Sequence, residues 1–544
     1  MTNRFIVDNI SWERLFLTIY VKSEKREGAR FSLLKTVSKQ ELVLEEMEEI
    51  PIGLAPYEDG HYAVRINLSV AGLSKRDFLE NGFYLLTLSE NGKQGYCYVE
   101  PAYAKNFDDL SRVFRYKDKY AYTVTFSGIS EEDRGLAFLI YSVFMEANRS
   151  WKKRRYLHDR LRPLSRLRTA LVILVRQGLN AFYFGMHIFW RGKGNILLMS
   201  ERHQTITGNL KALNERLKSR GYSQEGKISH SFREFGQGEG KILFRLRQMA
   251  LLARQTYIFV DDVCPTFTWM KLANDTVLTQ VWHSGGGFKA VGYARFGKGG
   301  SPHPAYSFHR KYTYALCGSE SLIEPFQEMF GIERAAILPF GIPRIDGFLK
   351  APSREKGLKR LYESYPALEG KKMYFYCPTF RGAGQSVAYF DFSALDWDRL
   401  CSFLEKEESC FAIRMHPFVK ERLSIAPTHS NVLFDLSDYP EINDIFYAAS
   451  ALITDYSSAY YEFALLGKPM LFYTFDREIY EATRGVYQSV QDAAPGKVCD
   501  TFDELIAALE EGDYEFYKAP LFLKKHFGNI EENASDRLLD YILK

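Results

Sequence analysis

From about residue 190 onward the chain alternates short apolar runs with amphipathic segments, in two successive blocks. NILLMSE, TYIFVDD, VLTQVWHS, YTYALCGS and AAILPFG read as buried strands, with KALNERLKSRG and ESLIEPFQEMFGI as helices between them. The charged connection APSREKGLKRLYESYPALEGKK follows. A second set then begins: KMYFYCPTF, SCFAIRMHP, NVLFDLS, ALITDY and PMLFYTF, interleaved with NDIFYAAS and SAYYEFALLGK. Strands that are apolar throughout and separated by helices belong to parallel sheets covered on both faces. The expectation is an α/β architecture with two doubly wound, Rossmann-like domains, over 186–350 and 351–544. A chain of 544 residues has room for more, since single cores stop growing near about 250–300 residues.

The region before these blocks has a different texture. Residues 1–147 contain FIVDNISWERLFLTIYV, HYAVRINLSV, GFYLLTLS, GYCYVEPAY and YAYTVTFSG, separated by turn signals such as Glu90-Asn91-Gly92. Several alternate apolar with polar residues, the period of a half-buried strand. An antiparallel β-sandwich of about seven strands is predicted, with an accessory role. Residues 148–185 then turn basic, with nine Lys or Arg and one acid, Asp159, between Lys152 and Arg176. Leu157, Leu161, Leu164, Leu167 and Leu171 recur every three or four positions and mark one helical face, which Pro163 breaks or starts. Lys152, Lys153, Arg154, Arg155, Arg160 and Arg162 suit an anionic membrane surface, unless the segment is a linker helix packed on a neighbouring domain. No uninterrupted apolar run reaches the roughly 18–20 residues of a spanning helix.

The overall charge excludes one class of partner. With 71 Lys+Arg against 67 Asp+Glu, the whole molecule is no polyanion binder, and no nucleic acid is expected. Seven cysteines without a C-x-x-C pair indicate reduced thiols and neither a disulfide framework nor zinc.

In doubly wound sheets ligands bind beyond the carboxyl ends of the strands, so polar residues there are the first candidates. One strand ends in His283, followed by Gly285, Gly286, Gly287 and Lys289. Glycines allow backbone N–H groups to approach an anion closely, and a histidine there suits a general base for an incoming hydroxyl. The strand KMYFY ends in Thr379 and Arg381, which supply donors for phosphate. A third strand ends Arg414-Met415-His416-Pro417, where His416 suits neutralising a diphosphate or protonating a leaving phosphate. A fourth runs into Asp455, Ser457 and Ser458 at a helix start, which favours anions. Arg344 and Asp346, before the connection, either face the cleft or pair with each other. Asp261-Asp262 reads as structural or as a substrate edge. No metal-ligand spacing accompanies these groups, and neither metal nor cofactor is expected.

These stretches together resemble the CDP-glycerol glycerophosphotransferase family of teichoic acid and capsule polymerases, including its CDP-ribitol-using members. The resemblance rests on TYIFVDD, QVWHSGGGFKAVGYARF, LPFGIPRIDGFL, YCPTFRG, FAIRMHP and above all ALITDYSSAYYEFALLGKPMLFYTFDREIYEATRGVY, in the family's order over about 190–495. It implies a GT-B type fold with the site in the cleft between an acceptor and a donor domain. It implies transfer of glycerol phosphate or ribitol phosphate from CDP-glycerol or CDP-ribitol to a lipid-linked polyol-phosphate acceptor, with release of CMP. The family's two histidines fall on His283 and His416, and its donor-binding positions on Thr379, Arg381, Ser457 and Ser458; Arg414 and Asp455, at the same strand ends, are added as candidate donor-binding residues. Peripheral attachment to the cytoplasmic face of the cell membrane is also implied, and a homo-oligomer is left open. Glycerol-type members commonly read His-Gly-Thr-Pro where this chain reads His283-Ser284-Gly285-Gly286, which is more like the members that use ribitol or act on longer polymers. A GT-B glycosyltransferase using a nucleotide sugar, and a non-catalytic assembly protein, are the competing readings.

Overall fold

A computed structural model of the chain describes residues 5–26, 28–36, 48–72, 77–90, 93–116, 120–131, 135–146, 155–234, 242–283, 291–295, 307–381, 388–484, 488–528 and 533–543. The N-terminal region forms one hydrogen-bonded network of eleven strands between Phe5 and Glu146, not about seven. The extra strands come from short segments such as Glu48–Leu54 and Tyr57–Glu58, whose composition does not separate them from loops. Every described pairing is antiparallel except that of Phe5–Glu13 with Lys93–Val99. Glu90 lies opposite Lys93 in an antiparallel pair; Asn91 and Gly92, read as a turn signal, lie outside the described residues. Alternation along the strands sends Val7, Leu17, Ile19, Phe31, Val64 and Phe138 into a single core.

A helix of 36 residues, Arg155–Trp190, leads out of this region. It continues through Pro163, where a break or start is predicted. Flanking Arg and Leu residues are good helix formers and carry it past the missing N–H. Leu179, Tyr183 and His187, one turn apart, are buried. His187 holds its place by pairing Nδ1 with Ala253 O at 2.8 Å and Nε2 with Asp275 at 2.9 Å. The stretch Leu171–Val175 and the end Ile188–Trp190 are exposed. No described helix is long and apolar enough to cross a membrane. Lys152, Lys153 and Arg154 lie outside the described residues, as do the side chains of Arg155, Arg160 and Arg162.

The rest of the chain is a mixed α/β fold with two six-stranded parallel sheets. The first contains β1 (Ile196–Ser200), β2 (Ile228–Phe232), β3 (Tyr257–Val260), β4 (Val277–Gln280), β5 (Tyr314–Leu316) and β6 (Ile337–Leu338), in the order 2-1-3-4-5-6. The second contains β7 (Lys372–Cys377), β8 (Ser409–Ile413), β9 (Leu433–Asp435), β10 (Ala451–Thr454), β11 (Met470–Tyr473) and β12 (Lys497–Cys499), in the order 9-8-7-10-11-12. The order in which strands are added changes direction in each sheet between β1 and β3, and between β7 and β10. Such switch points open a crevice at the strands' carboxyl ends.

One helix departs from the expected division at residue 350. Ala534–Ile542 crosses back, and its Leu538, Leu539 and Ile542 complete the core beneath β1 and the helix Gly208–Ser219. Arg216 and Arg220 both bind Asp536 on this helix. The segment 351–544 therefore does not pack as one unit with the second sheet.

Candidate active site

The two switch points face each other across a cavity of about 590 Å³, within the size range of small-ligand sites. On the first sheet, β4 runs through Val281 and Trp282 to His283. Trp282 has φ +50°, a left-handed conformation that a bulky residue rarely adopts. Gln280 and Asn209 hold it there. Gln280 accepts from Trp282 N at 2.9 Å, and Asn209 Nδ2 donates to Val281 O and Trp282 O at 3.0 and 2.8 Å. The turn directs the imidazole of His283, about half exposed, into the cleft.

The ends of β1 and β3 supply Arg202 and Asp262 beside it. His283 Nδ1 lies 3.6 Å from Asp262 Oδ2, which accepts from Arg202 at 2.8 Å. His283 thus turns Nδ1 toward a buried carboxylate that Arg202 also holds. Desolvation holds the pKa of His283 below 6.5; Asp262 opposes this and the charges of Arg202 and Arg344 reinforce it. A base must be neutral to act. We therefore predict that kcat/KM rises with pH through an apparent pKa below 6.5 and is flat above it. An acid limb centred above 6.5 in a pH–rate profile would contradict this assignment. Gly285, Gly286, Gly287 and Lys289 lie outside the described residues.

On the second sheet the predicted donor-binding residues divide into two groups. Thr379, Arg414, His416, Ser457 and Ser458 line the cleft. Arg381 and Asp455 do not: they lie behind its wall, and the expectation that they touch the donor is corrected. Arg381 binds Asp476 through Nε and Nη2 at 2.6 and 2.8 Å, and Asp455 through Nη1 at 2.9 Å. It also donates to Thr379 O and lies against the rings of Tyr456, Phe475 and Tyr480. Burial alone would lower its pKa, but the charges of Asp455 and Asp476 raise it well above the ordinary value. Asp455, fully buried, accepts from Thr379 N at 2.8 Å and from Tyr456 N. The pair thus ties the end of β7 to the end of β10 and commits most of its donors and acceptors within the protein.

That strut positions the groups that do reach the cleft. Thr379 Oγ1 is buried there without a hydrogen-bond partner among the described residues, a state that a ligand oxygen would relieve. Ser457 Oγ accepts from Ala459 N, and Ser458 is the N-cap residue of the next helix without capping through its side chain. His416 sits between Phe380 and Phe418, with ring centroids 4.7 and 4.6 Å away. Its Nδ1 accepts from Phe418 N at 3.2 Å, so the hydrogen bond assigns the proton of the neutral ring to Nε2. His416 is therefore a donor from Nε2 in both charge states. Arg414 keeps two bonds to Tyr439 O and Pro440 O.

Arg344 and Asp346 separate. Arg344 lines the cleft and pairs with Glu462 of the other half. Asp346 instead accepts from Ala534 N and Ser535 N at 2.8 and 2.9 Å, where it meets the free N–H groups of the returning helix. Asp346 and Arg344 also line a neighbouring cavity of about 670 Å³. Arg202 and Glu462 were missed by sequence reading. Arg202 was findable, since it follows β1 at a switch point; nothing local marks Glu462.

The sequence model of the CDP-glycerol:poly(glycerophosphate) glycerophosphotransferase family matches residues 182–544. The chain belongs to this family. Among relatives in the glycerophosphotransferase family, the teichoic acid ribitol-phosphate polymerase TarL of Staphylococcus aureus is 37% identical over 348 residues, 64% of this chain and 62% of TarL. A teichoic acid glycerol-phosphate primase of Bacillus spizizenii is 32% identical over 289 residues, 52% of this chain and 73% of the primase. The chain thus spans less than two thirds of TarL. The solved structure of the wall teichoic acid polymerase TagF matches with a TM-score of 0.52 over 70% of this chain and 97% of that one, at 17% identity, and so shares the fold.

Proposed function

We propose that this protein is a GT-B type transferase that moves a polyol phosphate from a CDP-polyol to the terminal hydroxyl of a teichoic acid or capsule polymer, releasing CMP. The observation that carries the reading is the placement of His283, backed by Asp262, and His416 on opposite walls of one cleft. In the reaction His283 takes the proton of the acceptor hydroxyl. The oxygen attacks the phosphorus that bears the polyol, a new P–O bond forms, and the bond from that phosphorus to the CMP oxygen breaks. His416 Nε2–H donates to the departing phosphate, and Thr379 and Ser457 hold donor oxygens. The proton on His283 returns to solvent. Catalysis then rests on positioning and on donors aimed at developing charge.

Ribitol phosphate is the favoured cargo. Identity is 37% to TarL and 35% to the Bacillus spizizenii poly(ribitol-phosphate) polymerase, against 32% and 28% for two glycerol-phosphate primases, and the His283-Ser284-Gly285 text is compatible with that. CDP-ribitol and CDP-glycerol offered in parallel with a primed acceptor decide this. CMP is expected from CDP-ribitol at the higher kcat/KM; equal rates would remove the preference, and an inverted one would assign glycerol phosphate.

The membrane is the proposed location of the acceptor. The helix Arg155–Trp190 exposes Leu171, Leu174, Ile188, Phe189 and Trp190, next to the basic run that precedes them in sequence. Such a surface gains from both apolar insertion and anionic lipid. Replacing Arg154, Arg155, Arg160 and Arg162 together is expected to weaken binding to phosphatidylglycerol vesicles, more at low salt than at high. Vesicle binding unchanged at every ionic strength would make the segment a linker.

A further inference from the structure

The eleven-stranded region contributes no residue to the described lining of the cleft, yet its core extends into the cleft's wall. Tyr293, almost fully buried, belongs to that core. It packs with Leu15, Leu68, Phe78 and Tyr122 around a void of about 10 Å³ that Arg310 closes. Arg310 donates from Nε to Tyr293 Oη at 2.7 Å and from Nη1 to Gly331 O at 3.2 Å. Gly292 has φ +55°, and a Cβ there would stand 2.1 Å from Met329 O, so the backbones of these two segments are in close contact.

A second anchor lies on the helix Ile323–Phe330. Glu328, fully buried, accepts from Arg14 Nε at 2.9 Å and from Leu15 N at 3.4 Å. Arg65 adds a pair with Glu324 at 3.3 Å. The residues beside these anchors face the chemistry. Val291 and Met329 line the cleft. Phe330 packs edge-on against Trp282 with centroids 5.3 Å apart, and Trp282 is the left-handed residue that aims His283.

We infer that the eleven-stranded region is a positioning element of the active site: through Arg14–Glu328 and Tyr293 it fixes the helix Ile323–Phe330, and through Phe330 the turn at Trp282 and His283. The strain at Trp282 needs such support, since a left-handed conformation persists only where its surroundings impose it. The proposal rests on the assignment of His283 as the base toward the acceptor. Arg14, Glu328 and Tyr293 are positioning residues and touch no substrate.

The test uses the full chain with Arg14→Ala, Arg14→Lys and Tyr293→Leu. Kinetics with CDP-ribitol and a primed acceptor are expected to show kcat/KM for the acceptor down by about ten- to a hundred-fold in Arg14→Ala and Tyr293→Leu, the scale of a displaced catalytic group. KM for the donor should stay within about two-fold, and Arg14→Lys should recover most of the loss. Amide hydrogen exchange on the same proteins should rise in peptides covering 277–283 and 323–330 and not in those covering 372–381 and 451–458. Exchange that is unchanged at 277–283, or that rises equally in both sheets, overturns the proposal. So does loss of donor and acceptor affinity together. If the unmodified protein releases CMP from neither donor, the proposed function fails, while the exchange result still decides the coupling.

Discussion

His283→Ala is expected to lower the rate of CMP release by at least about 100-fold, the contribution of a positioned acid–base group. The protein should stay folded, because the imidazole is half exposed and its partner Asp262 keeps Arg202. The acid limb of the pH profile should disappear with the residue that causes it. His416→Ala should lower turnover by a similar factor of about 100, the scale of a lost donor to a developing charge, but should keep that limb. The two variants are thus told apart by the shape of their pH profiles and not by their rates. Near-normal turnover in both, with folded protein, would remove the mechanism as stated.

The second large effect is on stability. Asp455→Ala leaves the guanidinium of Arg381 without one of its two carboxylates and the N–H groups of Thr379 and Tyr456 without an acceptor, all behind the cleft wall. Breaking a buried ion pair costs about 3–5 kcal/mol, so a fall of that order in unfolding free energy is expected in denaturant titration. Thr379→Val removes only a hydroxyl that has no partner among the described residues. It should leave stability nearly unchanged while raising KM for the donor. An Asp455→Ala protein as stable as the parent, with only donor affinity lost, would return Asp455 to the ligand-binding group.

These two residues show where sequence reading stops. The strand ends were legible, because apolar runs broken by His, Thr or Asp mark the carboxyl edges of buried strands, and both histidines and both serines face the cleft. The partners were not. Asp476 lies 95 residues from Arg381, and Glu462 lies 118 residues from Arg344; no local pattern distinguishes an arginine that meets a phosphate from one already satisfied by carboxylates. The returning helix was hidden for a related reason. Leu538, Leu539 and Ile542 make an amphipathic pattern that fits either sheet. The alternation that predicts parallel sheets likewise says nothing of strand order, which sets the switch points. In the N-terminal region Tyr57–Glu58 and Arg112–Tyr116, two and five residues long, carried too little pattern to be counted.

The central claim is that His283 and His416 together move a polyol phosphate between a nucleotide and a polymer end. Its most direct measurement is product analysis after incubation of the full chain with CDP-ribitol and a defined, primed acceptor. The account predicts CMP and an acceptor heavier by whole ribitol phosphate units, in equal amounts, with both products lost in His283→Ala and His416→Ala proteins that still bind CDP-ribitol. Release of a nucleoside diphosphate with a sugar added to the acceptor from a nucleotide sugar, or CMP formed undiminished by both variants, would contradict it.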